Sequence, residues 1–140
     1  MDTREYLNQI QRYDKIRRNK LEELEYLESL AQGIKSFSYD SERVQTSGPC
    51  DKIGETVAKI VDLKNDIIEI TNKCLEVRIE VTKTIDSVTN SVFYDILFKR
   101  YAEGKSLDVI ADEVGYSYQR TKELHLSAIA AVKKIKGFES

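Results

Sequence analysis

From Ser117 the chain reads SYQRTKELHLSAIAAVKKIK, a run of hydrogen-bonding side chains at helical spacing. At about 3.6 residues per turn, Tyr118, Gln119 and Lys122 turn to one side of a helix, with Glu123 and Leu126 next to them and Arg120 at the flank. A glutamine amide can make a bidentate contact with adenine, and a lysine can reach guanine acceptors or a phosphate. A tyrosine can meet a thymine methyl group or a phosphate. These are the contacts of a helix lying in the major groove of duplex DNA. Over Ser117 to Lys136, the five cations Arg120, Lys122, Lys133, Lys134 and Lys136 oppose only Glu123, a local surplus of four positive charges. That surplus suits phosphate contact. The plainer reading is a three-helix core in which KKIK is a solvated helix end favoured by the helix dipole.

The residues upstream can position such a helix. In SLDVIADEVGYS, Ser106 is a candidate N-cap, Ile110 and Val114 face inward, and Ala111 sits where two helices approach most closely. Gly115 falls at the turn, where a left-handed backbone is needed and a Cβ costs roughly 1 kcal/mol or more. Tyr116 and Leu124 are expected to close the core, with Ser117 as the N-cap of the second helix. Before them, Asn90 caps SVFYDILFKRY, whose Val92, Phe93, Ile96, Leu97 and Tyr101 share a side until Gly104 breaks the helix. His125, the only histidine, has no partners for metal binding and reads as a packed or phosphate-adjacent residue.

Two longer patterns precede this domain. From about Thr3 to Ile34, Tyr6, Ile10, Tyr13, Leu24, Leu27, Ala31 and Ile34 form one narrow stripe, interrupted by Arg17 and Lys20 with Ile16 and Leu21 beside them. From about Lys52 to Val88, Ile53, Val57, Ile60, Ile67, Cys74, Val81 and Ile85 line a face that Val61, Ile68 and Leu75 widen. Residues 33–51 hold most of the turn formers and the only proline, Pro49, and are expected to be a loop with FSY and Val44 partly docked. The expected fold is therefore all-α. A long N-terminal antiparallel helical hairpin, coiled-coil-like, over 1–89 with loop 33–51 precedes a C-terminal helix-turn-helix domain over 90–140.

Composition narrows the function classes. The 140 residues are 41% hydrophobic and 33% charged, enough for one compact domain or two small helical units. A formal charge of -2 excludes a polybasic nucleic-acid coat, so a DNA-binding face must be local. No apolar run approaches the roughly 20 residues a bilayer requires, and MDTREYLNQIQRYDK lacks a signal-peptide core. A cytoplasmic protein without membrane contact is expected. Cys50 and Cys74 lie outside C-x-x-C spacing and read as reduced thiols. With one histidine there is no zinc set, nucleophile pair, phosphate loop or cofactor motif, which argues against an enzyme.

The segment LFKRYAEGKSLDVIADEVGYSYQRTKELHLSAIAAVKKI, residues 97–135, resembles region four of bacterial sigma factors, a helix-turn-helix that reads an upstream promoter element. Together with YLNQIQRYDKIRRNKLEELE and SERVQTSGPCDKIGETVAKIVDL, it is similar to phage and prophage regulators of the ArpU and RinA type from Gram-positive bacteria. The resemblance implies a DNA-binding transcriptional regulator of late or packaging genes. Its DNA-reading positions fall on Tyr118, Gln119, Lys122 and Glu123, with Ser117 as the cap. Thr121 departs from the branched apolar residue usual there, and Tyr118 and Gln119 replace a commonly charged pair, so the element read differs from the usual one. Nothing matches a promoter-melting region. The implied partners are double-stranded DNA, RNA polymerase and a second copy held through the hairpin. The alternatives are a DNA-packaging recognition subunit of the small-terminase kind and a protein-interaction module without DNA contact.

Overall fold

The structure, a computed structural model, describes residues 1–40 and 47–138, with the side chains of 34–51 outside that description. All regular structure among the described residues is helical. The elements are α1 (Thr3–Asp40), α2 (Ser47–Asp86), α3 (Ser91–Leu97) with a following π-helical turn (Phe98–Ala102), α4 (Leu107–Val114) and α5 (Tyr118–Lys136). Among the described residues no helix is long and apolar enough to cross a membrane.

The long helices run further than their turn formers suggest, and the loop expected over 33–51 shrinks from both ends: α1 reaches Asp40 and α2 begins at Ser47. Gly33 stays helical at a cost of about 1 kcal/mol relative to alanine. Pro49 falls in the first turn of α2, where its missing N–H would have had no intrahelical acceptor. Residues 41–46, the docking of FSY and the Cys50 thiol lie outside the described residues. Cys74 is half-buried on α2.

Packing groups Met1–Asp14 with Lys73–Ser140 in one compact unit and Lys15–Asn72 in another. Within Lys15–Asn72, α1 and α2 lie side by side. Arg17 Nε donates to Thr71 Oγ1 at 3.1 Å, Lys20 meets Asp66 at 3.8 Å, and Lys64 meets Glu28 at 3.8 Å, so the two helices run in opposite directions there. The less exposed positions of α2 follow a three-four rhythm through Ile53, Thr56, Ile60, Leu63, Ile67 and Ile70, a seam along one side of the helix. Arg17 and Lys20 occupy two seam positions of α1, and their polar ends reach out to Thr71 and Asp66 while their stems cover the seam. Val57, expected on the inward face of α2, and Val61, Ile68 and Leu75, expected to widen it, are exposed instead, Ile68 to 60%.

The other unit has the deep core. Tyr6, Leu7 and Ile10 of α1 and Val77, Val81 and Ile85 of α2 are buried together with Leu97, Tyr101 and Ala102, and with Ala128 and Val132 of α5. The Tyr6 hydroxyl shares a 2.7 Å hydrogen bond with Thr84 Oγ1, and its ring meets Phe138 edge-on with centroids 5.1 Å apart. Chain ends and middle thus close one apolar cluster.

Candidate nucleic-acid interface

The local chemistry of each helix end explains how α3, α4 and α5 are set. Asn90 Oδ1 accepts from Val92 and Phe93 amides, Ser106 Oγ from Val109, and Ser117 Oγ from Arg120 at 3.1 Å, so each N-terminus has its cap. Gly115 stops α4 in the left-handed conformation at φ 80°, and the amides of Gly115 and Tyr116 both donate to the Ala111 carbonyl. A Cβ on Gly115 would meet nothing within 4 Å, so the glycine is needed for its backbone angle and not for space.

The helix read from SVFYDILFKRY does not end as a plain α-helix. It widens into the π turn Phe98–Ala102, where Glu103 N–H donates to Phe98 O. Gln11 Nε2 donates to the carbonyls of Tyr101 and Ala102, at 3.1 and 3.4 Å, and Arg78 Nη1 to Ala102 at 3.4 Å, which satisfies the end of the turn. The turn places the Tyr101 ring inward, stacked on His125 with centroids 5.6 Å apart, and the Tyr101 hydroxyl lies 2.7 Å from His125 Nε2.

The inward face of α5 is Thr121, His125, Ala128 and Val132, all buried. Two sequence expectations change here. Tyr116, expected in the core, is 42% exposed, and Leu124 is only half-buried. His125 and Thr121 take the central places because the π turn and α3 approach α5 from a side the local pattern could not specify. The Thr121 hydroxyl has no hydrogen-bond partner among the described residues.

Opposite that face, Ser117, Tyr118, Gln119, Arg120, Lys122 and Glu123 are all exposed, as is Lys134, while Lys133 is half-buried. At about 100° per residue, Lys122, Leu126, Gln119 and Glu123 span an outward arc of about 100°, while Tyr118 falls about 40° beyond Lys122, exposed at the N-terminal end of α5 on the side where His125 is buried further along. The structure brings these side chains to one surface of the first two to three turns of α5. The positive surplus is thinner than the count of residues suggests. Arg120 Nη1 pairs with Glu123 Oε2 at 3.3 Å, and Lys136 Nζ lies 3.8 Å from Glu80 and 5.1 Å over the Tyr6 ring. Lys122 and Lys134 make no ion pair among the described residues.

The neighbouring cations are already neutralised. Lys105 Nζ lies 2.8 Å from Glu103 and 2.7 Å from Glu113, and Lys99 lies 3.5 Å from Glu113. The Lys105 hydrogen bond holds the Glu113 carboxyl below its usual range, and the Glu103 and Glu113 carboxylates raise Lys105. This exposed cluster therefore leaves little net charge to attract an anion. Among the described residues no group of three or more histidine, cysteine or acidic side chains is placed to hold a metal.

Burial pushes His125 from its ordinary 6.5 down to about 4, and the positive charges of Arg100 and Arg4 add to the shift. The unfolded chain takes up this proton as pH falls below 6.5, whereas the folded chain resists until about 4. The neutral ring therefore lowers stability progressively across that window and contributes no pH dependence above it. The melting temperature of a His125→Gln variant should gain on the wild type between pH 6.5 and 4; a constant difference would contradict the buried neutral ring.

No protein-family model, curated protein or solved structure matches this chain.

Proposed function

We propose that this chain is a non-enzymatic, sequence-specific DNA-binding transcriptional regulator of phage or prophage late or packaging genes, acting in the cytoplasm of a bacterial host. In this reading α4, the Gly115 turn and α5 form a helix-turn-helix, and the first turns of α5 enter the major groove. The observation that carries it is the outward surface of α5: Tyr118, Gln119 and Lys122 exposed on a helix whose other face is buried and whose N-terminus is capped. The long helices form an antiparallel hairpin that holds a second copy or touches RNA polymerase, a reading supported by the opposed pairs Arg17–Thr71 and Lys64–Glu28.

Gln119→Ala and Lys122→Ala should each weaken binding to a selected genomic fragment by about 1 to 3 kcal/mol without moving the melting temperature, since both side chains are exposed. Fragments enriched from the sheared encoding genome at near-physiological salt provide the probe. If both variants bind like the wild type, α5 is not the reading helix.

A packaging-recognition subunit of the small-terminase kind is favoured by a different observation, the exposed Val57, Val61 and Ile68 on α2, which suit assembly into a larger ring. Ring-sized mass in solution and enrichment beside a packaging start would support that reading over the regulator.

A further inference from the structure

The outward surface of α5 carries two apolar bodies that the polar contacts above leave without a task. Tyr118 and Leu126 are each 49% exposed. Leu126 lies at nearly the same angle around α5 as Gln119 and Lys122, on the side away from His125 and Val132. Across this surface the recognition chemistry consists of one amide, one ammonium, a phenol ring and a branched alkyl group. The nearest guanidinium, the side chain that most often reads guanine, lies at the flank and is paired to Glu123.

We propose, resting on the DNA-binding reading, that α5 selects an A·T-containing site by packing Leu126 and the Tyr118 ring against thymine C5-methyl groups while Gln119 reads adenine. The thymine methyl is the only apolar group that a base pair displays in the major groove, so an exposed leucine there has one favourable partner. Against a G·C pair the same leucine would cover amino and carbonyl groups without satisfying them, which disfavours that pair. The rise of α5 separates Tyr118 from Leu126 by about 12 Å, which matches contacts three to four base steps apart. Recognition by methyl contact also needs little net charge, consistent with the pairing of Arg120 with Glu123 on this surface.

The test compares duplexes that differ only in that methyl group. A random duplex pool is enriched on the purified full-length chain, and the best binder is synthesised twice, once with thymine and once with deoxyuridine at every thymine position. The wild type should bind the thymine duplex more tightly by about four-fold for each methyl group buried. Leu126→Ala and Tyr118→Ala should each reduce that ratio, and Leu126→Met should keep it. Equal wild-type affinity for the two duplexes would overturn the methyl contact and leave the DNA-binding reading standing. A thymine preference untouched by both alanine variants would overturn the residues assigned to it. Absence of salt-dependent binding to either duplex would remove the DNA-binding reading itself, and the inference with it.

Discussion

Deleting residues 1–14 should abolish cooperative folding of the C-terminal helices, although none of those residues is near them in sequence. The deletion removes Tyr6, Leu7 and Ile10, all buried in the cluster that includes Leu97, Tyr101, Ala128 and Val132. Burial of side chains of this size contributes about 1.5 to 3 kcal/mol each, and the deletion leaves a cavity as well as exposed apolar surface. The loss approaches the whole stability of an ordinary domain, about 5 to 15 kcal/mol. Removing Gln11 also strips the donor from the Tyr101 and Ala102 carbonyls. The isolated segment 90–140 loses α2 as well, with Val77, Val81 and Ile85, and should be unfolded at 25 °C. Circular dichroism during a thermal ramp decides the matter: a sharp sigmoidal melt from 90–140 alone would show that α3, α4 and α5 are self-sufficient.

Gly104→Ala should cost about 2 to 4 kcal/mol, against about 1 kcal/mol for Gly115→Ala. Both glycines have left-handed backbones, with φ of 74° and 80°. Only at Gly104 would the new Cβ collide, 2.7 Å from Gln11 Oε1 and 3.0 Å from Gln11 Cδ. The Gln11 side chain is flexible, but it cannot swing away without giving up its bonds to the end of the π turn. The backbone strain and the lost hydrogen bonds therefore add at one position and not at the other. Denaturant titration of both variants measures the difference, and equal destabilisation would mean that Gln11 relocates at no cost.

What was legible in the sequence was what neighbouring residues decide among themselves. Asn90, Ser106 and Ser117 cap the helices that their positions imply, because a cap bonds only two or three residues ahead. Gly104 and Gly115 mark their turns for the same reason. The stripe on α1 through Tyr6, Ile10, Tyr13 and Leu24 is buried or half-buried throughout. Contacts between distant segments were not legible. Tyr116, expected in the core, is exposed, while His125 takes the packed one of its two expected places, because the inward side of α5 is set by elements that one helical pattern cannot encode. Nothing local marks Leu7 as a core residue beside Leu97, Ala128 and Val132, since its position is off the stripe that the first helix displays. The loop bounds failed through over-reading of Gly33 and Pro49, both of which a long helix tolerates in their positions. For the outward surface of α5, exposure followed the spacing, but the pairing of Arg120 with Glu123 and of Lys136 with Glu80 lowered the charge it offers.

The edge-on contact between Tyr6 and Phe138 joins two residues 132 positions apart. A ribosome makes them in order, so Tyr6, Leu7 and Ile10 leave the tunnel with no partners and must wait for Ala128, Val132 and Phe138 to be made. Helices that propagate locally form within microseconds, but this core closes only once α5 has left the tunnel, and its rate is set by the search of distant segments for one another. During synthesis the N-terminal stripe stays uncovered until α5 emerges, and any DNA-reading surface on α5 is held in place only from then on.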